Sequence, residues 1–286
     1  MMNYYVPKTL DELFIVLENM TSKSKIIGGG TDLGICLNKK LIIPDALLYI
    51  GNIKESKEVC LKDEHLEIGA SLTHTDIENN EIILNNFKCL ADASKDVGSL
   101  QIRNNGTIGG NVANASPAGD LIPVLYMLDT LVTIVTSTKE FVDIPIKNFI
   151  ISPGKIRLNP NEVILKFKIP LKESYRTSFL KLGSRKKLTI SRIGLCVGIT
   201  LEENIIKNCD IVVGAISLKP VVLDNVQKYL VGKNLINDFE YIEKIVSEIL
   251  SKTIMEITPE KFDRDYKVWA AKGIVCDIFD QLRSIK

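Results

Sequence analysis

The stretch "SKIIGGGTDLGI" (residues 24–35) sets three glycines between a short apolar run and a hydroxyl–carboxylate pair, Thr31-Asp32. Bare backbone after a strand lets main-chain N–H groups converge on an anion, phosphate above all, because glycine admits positive φ and close approach. A tight strand–helix turn is the competing explanation. The common nucleotide fingerprints fail here. G-x-G-x-x-G counted from Gly28 meets Leu33 at its third glycine, and a Walker A loop counted from Gly29 meets Ile35 and Cys36 instead of Lys and Ser/Thr. A second stretch, "GSLQIRNNGTIGGNVANASPAGDLIPVL" (98–125), places Gly106, Gly109 and Gly110 among Asn104, Asn105, Thr107, Asn111, Asn114, Ser116 and Asp120. It has little side-chain volume to bury, so a packed strand or helix is a poor expectation there. Its amides and hydroxyls suit a pyrophosphate; a long surface loop of Asx turns is the alternative. Asp120, a lone carboxylate after Pro117-Ala118-Gly119, is placed to accept from ribose hydroxyls or amides. Two such loops from separate parts of one chain point to a dinucleotide clamped between subdomains.

Elements of both periods must position these loops. Tyr4 to Asn19 reads as a helix, with Thr9 and Glu12 at capping-box spacing and Leu10, Leu13, Phe14 and Leu17 on one face. Lys25–Ile27 is a short strand entering the first glycines. LIIPDALLYI (41–50) and HLEIGA (65–70) read as strands broken by turns, and 71–97 as two helical segments with Phe87, Leu90 and Ala91 packing. LVTIVTS (131–137) and EVILKFKIP (162–170) are strands. TSFLKLGSRK (177–186) and IGLCVGITLEE (193–203) form a hairpin pair that IVVGAIS (211–217) extends, and from Asp224 the pattern turns helical, through 238–252 and 266–282. The polar shift near 171–177 divides an α/β part from a sheet-plus-helices part.

Composition narrows the chemistry. The 286 residues are 45% hydrophobic and 25% charged, which fits a globular chain of two domains. With 36 basic against 35 acidic residues and only 6% aromatics, a nucleic-acid partner has no electrostatic footprint. No stretch approaches the ~18 uninterrupted apolar residues of a membrane span, and the N-terminus lacks the basic and apolar regions of a signal peptide. Six scattered cysteines (Cys36, Cys60, Cys89, Cys196, Cys209, Cys276) include no CxxC, and the histidines are His65 and His74. Free thiols in a reducing cytoplasm are expected, with no metal site on this chain.

"IIGGGTDL" followed by "QIRNNGTIGGNVANASPAGD" closely resembles the FAD-binding subunit of the xanthine dehydrogenase family of molybdenum hydroxylases. "SPGKIRLNPNEVILKFKIP" and "FLKLGSRKKLTIS" are similar to the family's later segments, so the resemblance covers essentially the whole chain. It implies an α+β fold: a two-subdomain FAD-binding domain of the vanillyl-alcohol-oxidase-like class over 1–172 (about 1–55 and 56–172), and a small C-terminal domain over 173–286 with an antiparallel sheet and helices. Carried over residue by residue, Lys25, Ile26, Ile27, Gly28, Gly29, Gly30, Thr31, Asp32 and Leu33 would line the pyrophosphate and adenosine side. Thr107, Ile108, Gly109, Gly110 and Asn111 would complete that cradle, with Asn114 and Ser116 near the flavin chain. Asp120 would take a ribose or adenine contact. Val97, Ile102 and Ile164 match apolar flavin contacts, and Lys181 a lysine near the isoalloxazine carbonyls, where a cation stabilises reduced flavin.

The implied activity is electron transfer within a multi-subunit oxidoreductase. Substrate would be hydroxylated at molybdopterin on a large partner chain, and electrons would pass through [2Fe-2S] clusters on a small partner chain to FAD here. NAD+ is the expected acceptor, and a dimer of heterotrimers in the cytoplasm the expected assembly. No catalytic side chain is assigned. Thr189 stands where many relatives have aspartate, the clustered cysteines of branches with an extra iron–sulfur insert are missing, and no histidine lies in a glycine loop, so the flavin is expected to be non-covalent. Two other readings are a stand-alone flavin-dependent reductase of the same fold, like the enolpyruvyl reductase of cell-wall synthesis, and a non-catalytic nucleotide-binding scaffold.

Overall fold

The computed structural model describes residues 2–185, 188–258 and 263–284. The chain forms two compact units that interleave along the sequence: Met1–Ile82, Ser99–Ser116 and Asp129–Leu171 make the first, and Ile83–Gly98, Pro117–Leu128 and Lys172–Lys286 the second.

The first unit contains a parallel sheet in which Ala46–Tyr49 lies between Asn3–Tyr5 and Lys25–Ile27, with Ile26 opposite Leu48. It also contains a five-stranded antiparallel sheet in the order Val59–Leu61, His65–Gly69, Glu162–Pro170, Leu131–Thr136, Phe141–Pro145. The helix Leu10–Glu18 buries Leu13, Phe14 and Leu17 in a core shared with Leu48 of the first sheet and Val135, Val163 and Leu165 of the second. Each such fully buried side chain contributes about 1.5–3 kcal/mol relative to exposure. This helix begins later than its periodicity suggests, because Asn3–Tyr5 pairs as a strand and Pro7 intervenes. Thr9 caps it, accepting from the Glu12 N–H at 3.2 Å, while the Glu12 carboxylate accepts from the Lys8 N–H at 2.7 Å rather than from Thr9. Of residues 41–50 only Ala46–Tyr49 is strand.

The second unit is built on an antiparallel sheet of Tyr175–Gly183, Ser191–Glu202, Ile205–Gly214 and Val221–Val222. Alternation along the edge strand sends Ser178, Leu180 and Leu182 one way and Thr177, Phe179 and Lys181 the other. The first set meets the long helices: Ser178 donates to Gln281 at 2.7 Å, and Leu180 and Leu182 pack on the core formed with Phe239–Ile257 and Arg264–Ser284. The helices Lys88–Lys95 and Leu121–Met127 also pack on this sheet, which is why those segments leave their sequence neighbours and join the C-terminal residues.

Two local expectations are revised. Residues 71–97 make three helices, His74–Asn79, Glu81–Asn86 and Lys88–Lys95. The second glycine stretch is not an open loop, since it contains the helices Leu100–Arg103, Ile108–Asn114 and Leu121–Met127. Its small residues serve close packing: a Cβ on Gly109 would sit 2.6 Å from the Ala70 carbonyl oxygen.

Candidate functional site

The strand Lys25–Ile27 delivers the first glycines to the C-terminal end of the parallel sheet, and the helix Leu33–Asn38 carries the chain away. Gly30 takes φ +69°, the left-handed region that β-carbons disfavour, and its carbonyl accepts from the Gly34 N–H at 2.8 Å. Among the described residues, no protein acceptor meets the main-chain N–H groups of Gly28, Gly29, Gly30, Thr31 or Asp32. Five consecutive donors are open at one turn.

The second stretch uses its amides differently. Ile108 N–H donates to the Leu72 carbonyl at 3.0 Å, Gly109 to Ala70 at 2.9 Å and Asn111 to Thr107 at 2.9 Å. The Gly110 N–H donates to the Thr107 hydroxyl at 3.0 Å. These amides have acceptors inside the protein. What the stretch supplies is a wall. A Cβ on Gly29 would lie 1.6 Å from the Asn105 carbonyl oxygen, and one on Gly28 would lie 2.7 Å from the Thr107 hydroxyl. The two glycine segments therefore touch, and part of what excludes side chains from the first is the backbone of the second.

Together they line a cleft in the first unit with a polar and an apolar end. The polar end encloses about 430 Å³, within the range of ligand pockets, and Tyr49, Lys57, Thr73, Asp76 and Asn104 line it. The apolar end is lined by Ile26, Ile50, Ala70, Leu158, Val163 and Ile164. Gly28, Ser71 and Thr107 border both. Ile164 is buried and, with Gly109 and Gly110, borders the apolar end. Asn111 is half-buried with its Oδ1 unpartnered, Asn114 is exposed and Ser116 half-buried. Ile102, 38% exposed, sits on Leu100–Arg103 and its carbonyl accepts from Gly106 at 2.6 Å. Lys25, Ile27 and Leu33 are half-buried beside the turn. Ser71, Tyr49 and Lys57 escape sequence reasoning because no glycine-rich context marks them.

His74 underpins the second segment. Its N–H donates to the Gly106 carbonyl at 3.0 Å, and its ring is buried with Nδ1 unpartnered. Burial, aided by the Arg103 guanidinium, lowers its pKa to about 4.

Val97, Asp120 and Lys181 belong to the second unit. Asp120 is not a lone carboxylate: it is buried, accepts from Lys181 Nζ at 2.6 Å and from the Ser191 hydroxyl. Lys181 Nζ also donates to the Asp96 carbonyl at 3.0 Å. Burial pushes the Asp120 carboxyl up from its usual range against the pull of the ammonium. An ammonium carries three donors, so one N–H of Lys181 is left over for another acceptor.

An α+β fold with open amides on a glycine turn above a half-polar, half-apolar cleft defines a nucleotide-binding protein. Residues 1–172 match the FAD binding domain in molybdopterin dehydrogenase, and residues 178–282 match the CO dehydrogenase flavoprotein C-terminal domain. The nicotinate dehydrogenase FAD-subunit of Eubacterium barkeri is 31% identical over 289 residues, covering 98% of this chain and 96% of that one. The glyceraldehyde dehydrogenase medium chain of Sulfolobus acidocaldarius is 27% identical over 273 residues, with 96% and 94% covered. The structure of quinoline 2-oxidoreductase from Pseudomonas putida 86 superposes with a TM-score of 0.87 at 22% identity, covering 99% of this chain and 97% of that one. The chain belongs to the family of FAD-binding subunits of the molybdenum hydroxylases, and is an oxidoreductase subunit. No helix among the described residues is long and apolar enough to cross a membrane.

The residues present fit FAD. Open N–H groups at Gly28–Asp32 suit a diphosphate, Ser71 offers a buried hydroxyl without a partner, and the cleft provides an apolar end for a ring.

Proposed function

We propose that this chain holds non-covalent FAD in the cleft of its first unit and relays electrons between a partner's [2Fe-2S] clusters and NAD+. The open donors at Gly28–Asp32 carry this reading. FAD, when bound, supplies the chemistry that joins one-electron donors to a two-electron acceptor. The chain's own part is binding, orientation and exclusion of water. The amides of Gly28–Asp32 and the Thr31 hydroxyl hold the diphosphate, and Thr107 to Asn111 form the wall behind that turn. Ile26 and Ile164 keep water from the apolar end, with Lys25, Ile27 and Leu33 fixing the loop's ends. Ile102, Asn114, Ser116 and Val97 remain flavin-contact assignments from the resemblance. A contact from Asp120 to the nucleotide would compete with Lys181 and Ser191 for the carboxylate. Lys181 likewise remains an assignment from the resemblance, near the flavin carbonyls, and it keeps one N–H beyond those given to Asp120 and the Asp96 carbonyl.

The partners are a molybdopterin-binding large subunit and a [2Fe-2S] small subunit, in a cytoplasmic dimer of heterotrimers, with 1–172 and 173–286 as this chain's functional domains. Substrate is selected on the large subunit. Purification from the source cell tests this: the chain should elute with a molybdenum-bearing and an iron-bearing chain, its flavin should bleach on adding substrate, and NAD+ should restore the colour. A flavin-loaded chain that never associates with either partner would refute the relay.

A further inference from the structure

We propose that Ser71 is a further diphosphate-binding residue, its hydroxyl donating to a phosphate oxygen where the polar and apolar ends of the cleft meet. The proposal rests on the flavin reading above. Ser71 is only 8% exposed and its Oγ has no hydrogen-bond partner. Burying a hydroxyl unpartnered is unfavourable, and this one borders a cleft from which an acceptor can arrive. Its position says where that acceptor comes from: Ser71, Gly28 and Thr107 border both ends of the cleft. The Gly28 turn presents open amides, and it borders the same two ends of the cleft as Ser71.

The backbone holds Ser71 firmly. Its N–H donates to the Ser56 carbonyl at 2.8 Å, the Ala70 N–H donates to Leu165 at 2.9 Å, and the Ala70 carbonyl accepts from Gly109 at 2.9 Å. Only rotation about the Cα–Cβ bond is left to the hydroxyl. Thr107, the other hydroxyl at this place, already accepts from Gly110, so Ser71 is the one with both donor and acceptor capacity unspent.

The test titrates FAD into the full chain stripped of flavin, for wild type, Ser71→Ala and Ser71→Cys, and measures the melting temperature of each flavin-free protein. Loss of one hydrogen bond to a charged phosphate should raise the Kd for FAD by about 10- to 100-fold in both variants. The flavin-free melting temperature should hold or rise, because an unpartnered buried hydroxyl has been removed. Unchanged affinity in Ser71→Ala overturns the proposal and leaves the flavin reading standing. Full affinity in Ser71→Cys with loss in Ser71→Ala would show that side-chain volume matters rather than the hydrogen bond, and also overturns it. So does a parallel fall in flavin-free stability, which marks a structural role. Wild-type protein that binds no FAD refutes the underlying reading and the proposal with it.

Discussion

Gly29→Ala should break the contact between the two glycine segments without touching any side chain that chemistry could use. The new Cβ would stand 1.6 Å from the Asn105 carbonyl oxygen and 2.3 Å from its carbon, both main-chain atoms. Ordinary van der Waals separation is about 3.5 Å, so one backbone must retreat by roughly 2 Å. Neither side yields readily. Asn105 N–H and Gly106 N–H are both bound to the Ile102 carbonyl, and the Gly106 carbonyl is held by His74. Overpacking usually costs about 1–3 kcal/mol, and a clash between two anchored backbones belongs at the top of that range. At about 2–4 °C per kcal/mol for a domain of this size, the melting temperature should fall by roughly 6–12 °C. Thermal denaturation of the flavin-free chain measures this, and FAD titration should show affinity falling as well, because the turn that presents the amides is displaced. A Gly29→Ala protein as stable as wild type would refute the close approach of residues 29 and 105, and with it the shared cleft.

Gly110→Val makes the complementary case: only the Thr107 hydroxyl, at 3.1 Å, lies near its Cβ, so flavin-free stability should stay within about 1 kcal/mol of wild type while retained flavin, measured by absorbance, is lost. Lys181→Met strands the buried Asp120 carboxylate and should cost about 3–5 kcal/mol by urea denaturation, much of it restored in the Asp120→Leu/Lys181→Met double variant; a cost below about 1 kcal/mol would show that the pair is not buried. His74 is held neutral in the fold with a pKa of about 4, against 6.5 when unfolded, so the unfolded chain takes up the proton first as pH falls. Stability present above pH 6.5 should therefore be lost as pH drops towards 4, on the order of 3 kcal/mol, and the His74→Leu profile should lack that loss. Among the described residues no cluster of three metal-ligating side chains occurs, so the isolated chain should carry flavin without stoichiometric iron or zinc by elemental analysis.

Much of the fold is legible in the sequence because its signals are local. The alternation of Glu162–Pro170, the β-branched run Leu131–Thr136 and the threes and fours of the C-terminal helices depend on side chains a few positions apart. The helix Ile108–Asn114 is obscured for a physical reason: sparse side-chain volume reads as loop, yet the same smallness lets a helix press against Ala70. The apolar faces of Lys88–Lys95 and Leu121–Met127 announce burial but not which sheet buries them, so the interleaving of the two units is hidden. At the site, the glycine turn reads directly because bare backbone has few uses. The occupation of donors does not: amides at 108–111 and at 28–32 look alike in sequence and differ only in what lies opposite them. Pairing of Asp120 with Lys181 across 61 positions, and the unpartnered hydroxyl of Ser71, are likewise set by tertiary contacts.

The most direct measurement is a crystal structure of the chain with FAD bound. The diphosphate should lie within about 3.2 Å of several N–H groups from Gly28 to Asp32, with the amides of residues 108–111 still bound to their protein acceptors. A diphosphate seated away from that turn, or one that has drawn residues 108–111 off Ala70, Leu72 and Thr107, would contradict the account.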